Sequence, residues 1–157
     1  MTLKQQHAPI NNLLADGDIG DIHFFDNALK ELPITTLFTT VNDGEQQMNY
    51  LSENSEYLPV VLFRDLNMPQ KNSFECLSEI KENERLNNIY MVIFSMFYPP
   101  DKSCELGMTS NLFKLGAHVY VRKPGDFVQV KQTIQYALTM SAEEISSNNR
   151  LKYILNA

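Results

Sequence analysis

Apolar positions along this chain alternate between two periods. Residues 10–15 (INNLLA) close on a short apolar run that reads as a strand, and Asp16-Gly17-Asp18 ends it in turn chemistry. Ile19, Ile22, Phe25, Leu29 and Leu32 then recur at helical spacing until Pro33. Residues 35–41 (TTLFTTV) are β-branched and aromatic, which predicts a second strand. Asn42-Asp43-Gly44 turns the chain into a second helix with Met48 and Leu51 facing inward. Residues 58–63 (LPVVLF) are a continuous apolar run, the pattern of a strand covered on both faces. A third helix over 73–83 places Phe74, Leu77 and Ile80 inward, and residues 89–94 (IYMVIF) form a fourth strand. Pro99-Pro100 impose a loop. A fourth helix ends near Leu115 with Gly116 as its cap, and residues 118–121 are a fifth strand. Phe127, Val130, Ile134, Ala137 and Leu138 make the inward stripe of a fifth helix.

Five strands alternating with five helices predict a doubly wound α/β domain, a five-stranded parallel sheet with helices on both faces. No repeat or linker divides the chain. The expected organisation is an N-terminal extension at 1–9, one domain at 10–141 and a C-terminal tail at 142–157. The tail carries Leu151, Tyr153, Ile154 and Leu155. It reads as a frayed or self-packed extension, with a short amphipathic helix as the alternative.

Composition removes several function classes. The chain has 157 residues, with 13 Lys+Arg against 19 Asp+Glu and a net charge of −6. It shows no basic cluster, so nucleic acid is not the expected partner. No run approaches the roughly 18 apolar residues of a membrane span. Residues 1–9 do not form a secretory signal, so the expected location is cytoplasmic. Cys76 and Cys104 have no neighbouring Cys or His at ligand spacing, which argues against a zinc site.

In parallel α/β folds ligands meet the carboxyl ends of the strands. Those ends offer Asp16 with Asp18, Asp65, Ser95 and Lys123. Carboxylates of this kind suit Mg²⁺, which recruits a phosphate oxygen while keeping several waters. A hydroxyl and an ammonium across the gap bind the remaining oxygens. The set fits phosphoryl transfer to a carboxylate, with Asp65 as nucleophile.

Asp65-Leu66-Asn67-Met68-Pro69 resembles the phosphoacceptor loop of response-regulator receiver domains. The resemblance covers about residues 10–140. It includes the acidic turn at Asp16, Ser95 ending the fourth strand, Lys123-Pro124 ending the fifth, and Tyr120 at the family's aromatic switch position. It implies the flavodoxin-like (βα)5 receiver fold. It implies that Asp65 accepts a phosphoryl group from a histidine kinase or phosphotransfer protein. Asp16, Asp65 and the backbone carbonyl of Asn67 would hold Mg²⁺, and Lys123 would neutralise phosphoryl charge. Ser95 would hydrogen-bond the phosphoryl oxygens, and Tyr120 would turn inward behind it. The Lys123–Pro124 bond would be cis. Output would pass to a downstream protein target, and the face of the fourth helix, fifth strand and fifth helix is where the family forms homodimers.

Departures from the family pattern are specific. Gly17 stands where a second adjacent acid is usual, which weakens the expected Mg²⁺ site; Asp18 is one residue further on. Asp18 and Asp21 read as the cap and first turn of the first helix. Arg64 precedes the acceptor where an apolar residue is usual, and a buried Arg needs a partner, either an acid of the pocket or the surface. Met96 narrows the approach to the acceptor, and Phe97 occupies the position that tunes hydrolysis. Residues 98–110 read as a lengthened loop. Two alternatives follow. One is a phosphorylation-independent pseudo-receiver that acts as an interaction module. The other is a phosphohydrolase of the haloacid-dehalogenase type using Asp16-Gly17-Asp18, which leaves the Asp65 loop unexplained. A flavodoxin-like cofactor binder needs a Gly- and hydroxyl-rich phosphate loop that is absent here.

Overall fold

The computed structural model describes residues 9–66, 73–95, 101–123, 125–147 and 153–155. Its elements are β1 (Ile10–Ala15), α1 (Ile19–Lys30), β2 (Thr36–Val41), α2 (Gly44–Glu53), β3 (Val61–Asp65), α3 (Ser73–Glu82), β4 (Tyr90–Ser95), α4 (Lys102–Lys114), β5 (Val119–Arg122), α5 (Phe127–Ser147) and β6 (Tyr153–Leu155). All strand pairs are parallel, in the order β2-β1-β3-β4-β5-β6. The doubly wound fold read from the hydrophobic pattern is therefore present, and a sixth short strand extends it.

Strand alternation divides the core in two. Leu14, Val61, Phe63, Val92, Phe94, Val119 and Val121 face Phe25, Ala28 and Leu29 of α1 and Val130, Ile134, Ala137 and Leu138 of α5. Leu13, Leu62, Met91, Ile93 and Tyr120 face Leu51 of α2, Leu77 and Ile80 of α3 and Leu112 of α4. The chain winds outward in opposite directions from β1 and β3. Their carboxyl ends open at this switch point, where Asp16 and Asp65 sit. Aspartates start four of the helices: Asp18, Asp43, Asp101 and Asp126 accept from the backbone N–H of Asp21, Gln46, Cys104 and Val128. Gly116 follows α4 at φ 105°, and a Cβ there would meet Met91 Cε at 3.2 Å.

Four expectations change. β3 starts at Val61 instead of residue 58, because Pro59 has no N–H for the ladder, and it runs on through Arg64 and Asp65. Phe74 is 40% exposed, and Cys76 takes the inward place beside Leu77 and Ile80. Residues 102–110 are the body of α4, not a long loop, because Asp101 caps a helix there. In the tail, α5 runs past the expected boundary at 141 to Ser147, and residues 153–155 pack on the sheet as a strand beside β5 in place of the alternative helix. Among the described residues no helix is long and apolar enough to cross a membrane.

Candidate functional site at the carboxyl edge of the sheet

β1 delivers Asp16 to the sheet edge, where it is 3% exposed and its N–H donates to the Val41 carbonyl. Its Oδ1 accepts from the Asp18 N–H at 2.9 Å. Gly17 makes that two-residue turn on the surface. The turn fixes the Asp16 carboxylate facing inward and leaves its second oxygen for the site. Asp18 does not bend back into the site; it is exposed and caps α1 through the Asp21 N–H at 3.0 Å. That cap places Asp21 in the first turn of α1, aimed at the same edge.

Lys123, at the end of β5, gathers three acids. Its Nζ donates to Asp16 Oδ2 at 3.0 Å, to Asp21 Oδ2 at 2.7 Å and to Asp65 Oδ2 at 3.0 Å. Lys123, Asp16 and Asp65 are nearly buried, with side chains 12, 4 and 11% exposed, whereas Asp21 is 45% exposed. Burial alone lowers the Lys123 pKa, but the hydrogen bonds to Asp21, Asp16 and Asp65 outweigh it and raise the ammonium above its ordinary range. Burial raises the Asp16 carboxyl above 3.8 despite the Asp18 N–H and Lys123. One oxygen from each of Asp16, Asp21 and Asp65 lies within 4.8 Å of the others. Three hard oxygen donors at this spacing fit a small divalent cation.

Asp21 is the site residue that the sequence reading missed. It supplies from the helix the second carboxylate that Gly17 withholds from the loop. Asn67, Met96, Phe97 and Pro124, and with Pro124 the expected cis bond, lie outside the described residues.

Ser95 ends β4, is 1% exposed, and its carbonyl accepts the Lys123 N–H at 2.9 Å. Tyr120 is fully buried, with its ring in the core beneath α4. Burial raises its hydroxyl pKa, and the Glu105 charge adds to this, while the approach of Ser95 and the Arg122 charge oppose it. The inward position expected after phosphorylation is thus already taken.

Arg64 is fully buried and does not reach the surface. Alternation along β3 sends Asp65 to the sheet edge and Arg64 toward α2 and α3. There Nη1 donates to Oε1 of Gln47, itself fully buried on α2. Burial lowers the guanidinium pKa, and Cys76 of α3 opposes that shift. Gln47 lies between Gly44 and Leu51 on the inward stripe of α2, a polar residue at an apolar position.

No family model matches the chain. Response regulator Rcp1 of Synechocystis is 30% identical over 93 residues, 57% of this chain and 63% of that protein, so the match spans less than two thirds of the relative. The phosphorylated cyanobacterial phytochrome response regulator RcpA superposes with a TM-score of 0.71 at 26% identity, over 85% of this chain and 96% of that one. The Mn²⁺-bound form of Rcp1 also gives 0.71, at 24% identity, over 82% and 94%. The homologues and structural neighbours of this chain are response-regulator receiver domains of two-component signalling, and its fold is theirs.

Proposed function

We propose that this chain accepts a phosphoryl group on Asp65 from a histidine kinase or a phosphotransfer protein. It then signals in the cytoplasm through contacts with a downstream protein. One observation carries the reading: Lys123 Nζ lies 3.0 Å from Asp65 Oδ2 at the sheet's switch point, with the carboxylates of Asp16 and Asp21 converging on it. A lone aspartate at a strand end is a turn residue. An aspartate facing an ammonium and two further acids is a poised nucleophile.

The chemistry follows from charge. Three carboxylates and one ammonium leave an excess of two negative charges before a phosphoryl group arrives, so the site needs a divalent counter-ion. Asp16, Asp21 and Asp65 would hold Mg²⁺, with the Asn67 carbonyl that the family resemblance adds. Bound there, the ion supplies positive charge for the phosphoryl oxygens. The Asp65 carboxylate attacks phosphorus; a new P–O bond forms, and the P–N bond to the donor imidazole breaks. Lys123 shifts its donation from Asp65 to a phosphoryl oxygen while Asp16 and Asp21 keep the ammonium in place. Ser95, buried beside Lys123, donates its hydroxyl to another. The Mn²⁺-bound relative and the phosphorylated relative support this reading.

A phosphorylation-independent interaction module is the second reading. Its supporting observation is that Tyr120 is already inward and fully buried. Incubation with Mg²⁺ and phosphoramidate separates the two. The switch reading predicts an intact-mass gain of one phosphoryl group that Asp65→Asn abolishes. Unchanged mass at saturating Mg²⁺ leaves the interaction module.

A further inference from the structure

We infer that the Glu105–Arg122 ion pair is a latch that positions Tyr120 behind Ser95 in the unphosphorylated protein. The inference rests on the switch roles proposed above for Ser95 and Tyr120. In the β4–β5 register Arg122 lies beside Ser95, and Tyr120 lies beside Ile93. Tyr120 and Arg122 are two residues apart on one strand, so both side chains leave the sheet toward α4. Glu105 comes from the first turn of α4. Its Oε2 accepts from Arg122 Nη2 at 2.5 Å, and the two side chains are only 12 and 30% exposed. The pair ties the start of α4 to the end of β5. Both of its charges act on the Tyr120 hydroxyl.

Something must hold that hydroxyl inside. Tyr120 is fully buried, and Ser95 approaches its hydroxyl without completing a hydrogen bond of good geometry. Turning outward would return the hydroxyl to water, so the inward position costs free energy that other contacts must offset. The ring's packing among Ile93, Leu112 and their neighbours supplies part of it. The partly buried ion pair supplies the rest by closing the gap between α4 and β5, where it is less screened than a surface pair. The α4–β5 face therefore presents its inward-tyrosine arrangement before any phosphoryl group arrives. Glu105 and Arg122 act through Tyr120 and Ser95; they are positioning residues.

The test labels the full chain with 3-fluorotyrosine and reads ¹⁹F line broadening by a soluble gadolinium chelate. Single Tyr→Phe variants identify the Tyr57, Tyr90 and Tyr120 resonances. Tyr57 is 79% exposed and sets the open limit, and Tyr90 at 2% sets the closed one. In the wild type, Tyr120 broadens as little as Tyr90. In Glu105→Gln and in Arg122→Gln it moves to the level of Tyr57, while Tyr90 stays protected and reports an intact fold. The exchanged pair Glu105→Arg/Arg122→Glu restores protection. Unchanged Tyr120 protection in both single variants overturns the latch, as does an exposed Tyr120 in the wild type or an exchanged pair that stays open. Adding Mg²⁺ and beryllofluoride to Glu105→Gln then returns Tyr120 to the closed limit if Asp65 is the acceptor. Failure of that last step counts against the acceptor reading alone, because the latch is judged before the additive.

Discussion

Replacing Asp21 by Asn removes one charge from the acidic cluster and preserves the size of the side chain. The loss falls on divalent-metal binding. The three carboxylate oxygens lie within 4.8 Å of one another. A cation ringed by three oxygens so spaced lies about 2.8 Å from each, where a double and a single charge attract by roughly 3 kcal/mol in a water-like dielectric. That dielectric is the appropriate limit, because Asp21 is 45% exposed. The expected consequence is Mg²⁺ binding weaker by roughly 100-fold. Lys123 loses its 2.7 Å partner but keeps Asp16 and Asp65, so the ammonium stays in place. Isothermal titration calorimetry at fixed ionic strength reads the change. Asp18→Asn is the control, because Asn caps a helix as well as Asp and the substitution removes a charge three residues away, outside the cluster. Its affinity should stay within about threefold of the wild type. If Asp21→Asn binds Mg²⁺ like the wild type, Asp21 is not the replacement acid. If Asp18→Asn loses as much, the effect is helix-end charge and not ligation.

Two further outcomes follow from the buried polar groups. Gln47→Leu deprives the buried Arg64 guanidinium of an acceptor and should cost about 1.5–3 kcal/mol in urea unfolding, largely recovered by adding Arg64→Met. An unchanged midpoint would show that the Gln47 contact carries no weight. Asp16 is held above 3.8 in the fold, so its ionised form opposes folding, and that penalty fades as pH falls through the folded value toward 3.8. Asp16→Asn should therefore raise Tm of the metal-free protein at neutral pH, by a margin that shrinks on acidification. A lower Tm at neutral pH would mean that the bridge to Lys123 outweighs burial.

The βα alternation was legible because each strand and helix carried its own period. The site was legible because Asp16, Asp65, Ser95 and Lys123 end four strands, and parallel strands bring such ends to one edge. Asp21 was hidden by a competing explanation. An acid in the first turn of a helix already has a reason to be there, and only the Asp18 cap shows which way that turn faces. The partner of Arg64 was closer to view. Gly44, Gln47 and Leu51 share one helical face, so a Gln on that face opposite a buried Arg is a detectable signal. The start of α4 was hidden by Pro99-Pro100, which impose a loop, whereas Asp101 right after them is a cap that begins a helix. The β6 strand had no signal, since three residues are too few to show a period.

Asp65, and neither of the acids beside it, is the residue proposed to take the phosphoryl group. Acyl phosphates are reduced by borohydride to the alcohol, which marks the modified residue permanently. The full chain would be treated with Mg²⁺ and phosphoramidate, reduced, digested and mapped by tandem mass spectrometry. Homoserine at position 65, with Asp16 and Asp21 unchanged, is the expected result. Homoserine at position 16 would move the nucleophile to the first loop and point to phosphohydrolase chemistry. Its absence from all three positions would contradict the phosphoacceptor reading altogether.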